Sequence, residues 1–118
     1  MKHSKAITGQ LYDEDGHGTH VAGIVGAVAD NGAGIAGVSY NAKIIAINVF
    51  ERNDKGEWLS STDYMIKALS YIEELVSTGK VKNLHVINIS SGQYAYDQSL
   101  EESIKRMSYT IFPFHLLL

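Results

Sequence analysis

The segment from residue 17 to residue 29 constrains the fold of this chain most, because it is rich in Ala, Gly and Val. So many small side chains leave a thin helix that other backbone segments can approach closely. We therefore predict a buried helix over residues 17–29.

The rest of the chain alternates between predicted strands and helices. Residues 43–50 and 84–90 are short apolar runs rich in β-branched residues, which is typical of strands covered on both faces. Residues 61–78 fit a helix that starts near Ser61 or Thr62 and stops at Gly79. Its apolar stripe consists of Met65, Leu69, Ile72 and Val76.

A last helix is predicted from Asp97 onward, where Ser99 and Glu102 have the spacing of a capping box. Leu100, Ile104 and Met107 would face inward, and residues 51–58 read as a loop. This order predicts an α/β fold with a parallel sheet and right-handed crossovers.

His17 is the residue best placed for chemistry, because it opens the small-residue helix between Gly16 and Gly18. The two glycines remove side chains on either side of the imidazole. Imidazole ordinarily titrates near pH ~6.5, so it can take a proton from a nucleophile and return it to a leaving group. The pattern favours a general base.

The segment His17-Gly-Thr-His-Val-Ala-Gly23 resembles the histidine motif of the subtilisin-like serine peptidases at all seven positions. The resemblance continues in the loop of residues 31–38, the strand of residues 42–50 and the Val86–Gly92 turn, so that it covers about residues 15–107. It implies a partial, incomplete subtilisin-like fold with helices on both faces of a parallel sheet. It also implies peptide-bond hydrolysis, with His17 as the base of a Ser-His-Asp triad.

The other triad members have no counterpart in this sequence. Residues 1–14 contain no Asp-Thr-Gly or Asp-Ser-Gly, and no serine lies in a Gly-Thr-Ser-Met-Ala context. Asp15 is too close in sequence to reach back to the imidazole, and a carboxylate at a helix start is its plainer interpretation. We expect the chain alone to be inactive as a protease, because triad residues work as a unit. The alternative function is an inactive domain that at most binds peptides.

At 118 residues the chain is less than half a subtilase catalytic domain, so the resemblance implies a fragment. We divide it into an N-terminal lead-in (1–14), a partial catalytic domain (15–108) and an apolar tail (109–118). The tail is either an aberrant end of the reading frame or a real strand followed by an apolar terminus. Either way it would expose apolar surface through which copies could associate.

Composition excludes several classes of partner. The formal net charge of −3 is spread without blocks, so we predict neither nucleic-acid nor membrane binding. The absence of cysteine excludes disulfides, and the first ten residues lack the apolar core of a signal peptide. The compartment stays open, since the resemblance is compatible with a secreted parent enzyme.

Two patterns suggest cofactors only weakly. His17 and His20 have the spacing of two metal ligands on one helix, but no Glu-containing zinc motif or distant ligand accompanies them. The glycines at 32, 34 and 37 have the spacing of a dinucleotide-binding fingerprint. They follow a predicted helix, whereas the fingerprint precedes one, so we interpret them as a turn. No organic cofactor is predicted.

The resemblance does imply a structural calcium ion in the loop after the first helix. Asn31 would supply its side chain, and Ala29, Ala33 and Ile35 would supply carbonyl oxygens. The upstream Asp and Gln ligands of the family are missing, so the site would be incomplete. An ordinary Asn-Gly turn is the alternative.

Two further segments resemble the edges along which subtilases bind a polypeptide substrate as an added strand. They are Asp54-Lys55-Gly56 and Ser90-Ser91-Gly92. Trp58 either lines a substrate pocket or is a plain surface aromatic.

Overall fold

The computed structural model describes residues 12–92 and 95–110 and the backbone of residues 115–117. Most of the predicted lead-in and the central part of the apolar tail, on which the predicted self-association depends, lie outside these residues. The chain divides into two compact units, residues 1–48 and residues 49–118. No helix in the described part of the chain is long and apolar enough to cross a membrane.

The described residues of the first unit form one helix, α1 (His17–Gly26). It is shorter than predicted, and none of its residues is fully buried, so the prediction of a buried helix is wrong. The predicted close approach does occur at the end of the helix. A Cβ added to Gly37 would lie 2.4 Å from the backbone nitrogen of Ala27, so this crossing needs a residue without a side chain.

The same crossing completes the end of α1. The backbone N–H groups of Gly37, Val38 and Ser39 donate to the carbonyl oxygens of Ala27, Ile24 and Val25 at 2.8–2.9 Å. The last carbonyls of a helix have no partner within the helix. The returning loop supplies these partners and so fixes its own position on the helix.

The predicted strand over residues 43–50 does not form, apart from Phe50. A strand is defined by hydrogen bonds to a neighbouring strand, and none of the described residues lies beside this segment as a strand. Ile44 and Ile45 are instead about half exposed, at 45% and 49%. The prediction of a strand covered on both faces is therefore wrong for residues 43–49.

The second unit begins with a hairpin where a plain loop was expected. Strand β1 (Phe50–Arg52) pairs antiparallel with β2 (Trp58–Ser60), with Glu51 opposite Leu59. The loop prediction over residues 51–58 is therefore wrong at both ends, because these charged residues lie in an exposed hairpin.

Helix α2 (Thr62–Ser77) follows and agrees closely with its prediction. Ser61 is the N-cap, and its side chain accepts a hydrogen bond from the backbone N–H of Tyr64 at 3.3 Å. Gly79 follows the helix with φ of 72°, the left-handed conformation that glycine adopts readily.

Strand β3 (Val86–Asn88) pairs parallel with β4 (His115–Leu117), with Ile87 opposite Leu116. Between them lies helix α3 (Gln98–Thr110). The capping-box prediction is wrong, because Asp97 caps α3 by accepting a hydrogen bond from the N–H of Leu100 at 3.0 Å. The side chain of Glu102 instead accepts from Gln98.

The core of the second unit joins α2, β3 and α3. Leu69, Ile87 and Met107 are its buried members. Partly buried side chains pack around them, including the predicted inward residues Ile72, Val76, Leu100 and Ile104. Burying a side chain of this size contributes about 1.5–3 kcal/mol, so the cluster stabilises the unit.

Candidate active site

His17 is the first residue of α1, and its side chain is exposed to solvent. The preceding residue, Gly16, has φ of 85° and offers no side chain to cap the helix. The left-handed turn at Gly16 brings the chain sharply into the helix. The imidazole therefore stands at the helix start with no side chain beside it from position 16 or 18.

The carboxylate of Asp13 takes over the capping of this helix. Its Oδ2 accepts hydrogen bonds from the backbone N–H of Thr19 at 2.7 Å and from the Thr19 hydroxyl at 2.6 Å. Its Oδ1 accepts one from the backbone N–H of Gly16 at 2.8 Å. Three donors thus converge on one carboxylate, and they fix the backbone on both sides of His17.

These bonds favour the charged form of Asp13. The hydroxyl of Thr19 lowers the pKa of Asp13 most, followed by the backbone N–H groups of Gly16 and Thr19. A carboxylate near the N-terminus of a helix is also favoured by the helix dipole. Sequence reasoning considered this role for Asp15, but the structure gives it to Asp13. The sequence does contain a signal for this role, because Asp13 lies three residues before Gly16, the N-cap of α1.

His20 lies one turn further along α1 and is also exposed. No group of three or more His, Cys, Asp or Glu side chains that could hold a metal ion occurs among the described residues.

The loop after α1 forms the predicted glycine-rich turn and encloses a shallow depression of about 230 Å³. Asp30, Gly32 and Gly34 all have positive φ, between 57° and 71°, so the backbone curls back on itself. The Oδ1 of Asn31 accepts a hydrogen bond from the backbone N–H of Ala33 at 3.0 Å. Within the described chain, the carbonyls of Ala29, Ala33 and Ile35 accept no hydrogen bond.

Asp54, Lys55 and Gly56 form the tip of the β1–β2 hairpin. Asn53 organises this tip, because its Oδ1 accepts from the backbone N–H groups of Lys55 and Glu57 at 2.9 Å. The N–H of Gly56 donates to the carbonyl of Asn53, and its carbonyl accepts from the Nε of Arg52. The N–H groups of Lys55 and Gly56, which could pair with a substrate strand, are thus already used within the turn.

Trp58 is half-buried at the start of β2, and the guanidinium of Arg52 lies 6.0 Å from its ring centre. This distance is at the limit of a cation–π contact.

Ser91 and Gly92 lie beside the start of α2. Together with residues 60–62 and Met65 they line a depression of about 370 Å³. Ser90 does not line it, but its hydroxyl accepts a hydrogen bond from the side-chain amide of Asn88 at 2.8 Å. The structure thus joins Ser91 and Gly92 to Ser60, Ser61 and Thr62, a neighbourhood that sequence reasoning missed.

The predicted residues are divided between the two units. His17 and the predicted calcium loop belong to the unit of residues 1–48, and both predicted substrate segments belong to the unit of residues 49–118.

Comparison with known proteins identifies the class. The sequence profile of the Subtilase family matches residues 3–112. The chain is 32% identical over 95 residues to "Thermostable alkaline protease" of Halalkalibacterium halodurans, an alignment that covers 80% of this chain and 23% of the relative. It is 34% identical over 92 residues to "Thermophilic serine proteinase" of Bacillus sp. strain AK1, covering 78% and 20% of the two chains. No solved structure matches.

A third relative is "Thermitase" of Thermoactinomyces vulgaris, 30% identical over 90 residues, or 76% of this chain and 28% of the relative. The chain thus spans between a fifth and somewhat more than a quarter of the length of these relatives. The family profile covers most of the chain, and these relatives are named as proteases. The chain belongs to the subtilase family.

Proposed function

We propose that this chain supplies the general base of a serine-type endopeptidase, and that His17 is that base. In peptide-bond hydrolysis the imidazole takes the proton of the attacking serine hydroxyl and delivers it to the leaving amine. The serine and the orienting carboxylate would come from other polypeptide that carries the Gly-Thr-Ser-Met-Ala and Asp-Thr-Gly or Asp-Ser-Gly motifs.

The observation that supports this proposal most is the position of His17. Its side chain is exposed at the start of α1, where Asp13 binds the backbone at Gly16 and Thr19 on both sides of it. A proton-transfer group must reach the reacting atoms from a fixed backbone position, because a small displacement of the group lowers the rate by a large factor. His20 is exposed too but lies beyond this fixed turn.

The 118-residue chain by itself is proposed to be inactive in hydrolysis. None of its serines lies in the Gly-Thr-Ser-Met-Ala context, and a triad histidine without its nucleophile retains little catalysis. The second candidate function is peptide binding without turnover. The depression beside Ser91 and Gly92 favours it, because that depression is complete within one unit.

We place the polypeptide substrate against Ser90, Ser91 and Gly92. Ser91 and Gly92 are exposed, and the adjacent depression combines serine and threonine side chains with the apolar Met65. Such a mixture suits one side chain of an extended peptide. Asp54 and Lys55 would contribute through their exposed side chains, because the turn already uses the N–H of Lys55.

A structural calcium ion is proposed for the loop of residues 29–35. The carbonyls of Ala29, Ala33 and Ile35 and the amide oxygen of Asn31 are the hard donors that calcium prefers. The Asn31 oxygen accepts one hydrogen bond and has a second lone pair left for a cation. Calcium takes six to eight oxygens, so other groups or water would complete the shell.

We also propose that β3 and β4 belong to a larger parallel sheet with helices on both faces. Their parallel pairing around the intervening helix α3 supports this arrangement.

Two assays on the purified chain test the proposal that it is inactive alone. We expect neither turnover of a broad fluorogenic peptide nor labelling by a fluorophosphonate serine probe. Either signal from pure 118-residue protein, abolished in a His17→Ala variant, would contradict the proposed inactivity. Tight binding of an uncleaved peptide that weakens in a Met65→Asp variant would favour the second candidate.

A further inference from the structure

We propose that Asn31 is a site of spontaneous deamidation, through a succinimide formed with Gly32. This is a modification site built by the glycine-rich loop after α1, and it needs no enzyme and no partner other than water. It stands independently of the proposed proteolytic function.

The reaction balances within the loop itself. The backbone nitrogen of Gly32 attacks Cγ of Asn31, so that a new C–N bond forms and the Cγ–Nδ2 bond breaks. The side-chain nitrogen leaves as ammonia, taking up the proton lost from the Gly32 amide. Water then opens the ring at one of its two carbonyls and leaves aspartate or isoaspartate at position 31.

Access to the attacking nitrogen is the first requirement, and Gly32 meets it. A Cβ added at Gly32 would find no atom within 4 Å, and glycine itself has none to hinder ring closure. Among the described residues, the Gly32 N–H takes part in no hydrogen bond. Both Asn31 and Gly32 are exposed, so water reaches the ring once it forms.

Stabilisation of the developing charge is the second requirement. When nitrogen adds to Cγ, the side-chain oxygen of Asn31 becomes an oxyanion. The backbone N–H of Ala33 already donates to this oxygen at 3.0 Å. A donor held in place before the reaction is the arrangement that lowers barriers of this type.

Asn53 provides a comparison inside the same chain. Its Oδ1 also accepts a backbone N–H two residues further on, from Lys55 at 2.9 Å. The following residue is Asp54 instead of glycine, so a side chain hinders the attack. If the hydrogen bond to Oδ1 were sufficient for deamidation, both asparagines would react. We expect the glycine after Asn31 to make its deamidation faster.

The product changes the charge of this loop. Deamidation adds one negative charge to a chain whose formal net charge is −3, and the new carboxylate lies next to Asp30 in the same depression. Isoaspartate also lengthens the backbone by one carbon within a turn that already uses three positive φ values.

The test follows the full chain during incubation at pH 8 in water enriched in oxygen-18, with peptide mass spectrometry over time. We expect the Asn31 peptide to take up the label and to split into aspartate and isoaspartate forms roughly tenfold or more faster than the Asn53 peptide, a barrier difference of about 1.4 kcal/mol. Equal rates for the two peptides would overturn the proposal.

Two variants and a measurement in urea distinguish the effect of ring closure from an effect of the fold. Gly32→Ala should slow conversion at Asn31 at least about tenfold. Gly34→Ala should leave it unchanged, although Gly34 has a similar positive φ and similarly open surroundings. Conversion that is as slow in Gly34→Ala as in Gly32→Ala would overturn the assignment to ring closure. Conversion slower in the folded chain than in urea would overturn the role of the Ala33 N–H.

Discussion

Asp13 and Thr19 are joined by two hydrogen bonds to a single oxygen, the Oδ2 of Asp13, one from the backbone N–H and one from the hydroxyl of Thr19. The five residues between them include Gly16, His17 and Gly18. The pair therefore closes a short loop around the proposed general base, and Asp13 acts as a positioning residue for the helix start.

Replacing Asp13 with Asn should weaken this closure, because an uncharged amide accepts hydrogen bonds less strongly than a carboxylate. We expect the Tm to fall by about 5 °C and the Thr19 amide proton to exchange faster. Circular dichroism and hydrogen exchange measure these two effects. Asp15→Asn is the matched control, and an equal loss in both variants would contradict the assignment.

Acidification should remove the same interaction. The native pKa of Asp13 is lowered, so its contribution to stability is fully present above the ordinary aspartate value of about 3.9 and is lost as the pH falls through the lower native value. Urea titrations at several values below pH 4 should show a smaller acid loss in Asp13→Asn than in the unsubstituted chain. Parallel pH profiles would show that Asp13 does not contribute.

The crossing of residue 37 over the end of α1 should not tolerate a side chain. In Gly37→Ala the new Cβ would lie 2.4–2.6 Å from the backbone of Ala27 and Gly26, atoms that cannot rotate away. We expect a loss of about 1–3 kcal/mol in the free energy of unfolding, measured by urea titration. Gly92→Ala, where a Cβ would meet nothing within 4 Å, should stay close to the unsubstituted chain.

The core of the second unit should depend strongly on Met107. Its side chain is 1% exposed, and Met107→Ala should cost about 2–5 kcal/mol through lost burial and the cavity left behind. Tyr109, on the same helix and 85% exposed, gives the control variant Tyr109→Ala, which should change stability by less than about 0.5 kcal/mol. Similar losses in both variants would mean that α3 does not pack as described.

Local signals in the sequence predicted the helices better than the strands. Ser61, Gly79 and the stripe around Leu69 specify α2 through contacts within a few residues, and α2 formed as predicted. A strand around Ile44 and Ile45 needs hydrogen bonds to neighbouring strands, which the local sequence does not specify. The strand predicted there did not form. Asp97 displaced the predicted capping box because it stands one residue before the helix begins.

The candidate site was predictable to a similar degree. The position of His17 at a helix start follows from the motif, but the role of Asp13 depends on the left-handed turn at Gly16, which brings the carboxylate back to Thr19. Likewise, the depression beside Ser91 depends on how α2 packs near residue 92, which no local pattern encodes.

Catalysis by His17 is the central claim, and a chimaera tests it most directly. Residues 12–92 of this chain would replace the matched segment of the Halalkalibacterium protease, and kcat for a fluorogenic peptide would be measured with the histidines at 17 and 20 intact or changed singly to Ala. We predict that the chimaera hydrolyses the peptide. His17→Ala should lower its kcat by about 10⁴-fold or more, whereas the kcat of His20→Ala should stay within roughly tenfold of the unsubstituted chimaera. Similar losses in both variants, or a folded chimaera without turnover, would contradict the claim.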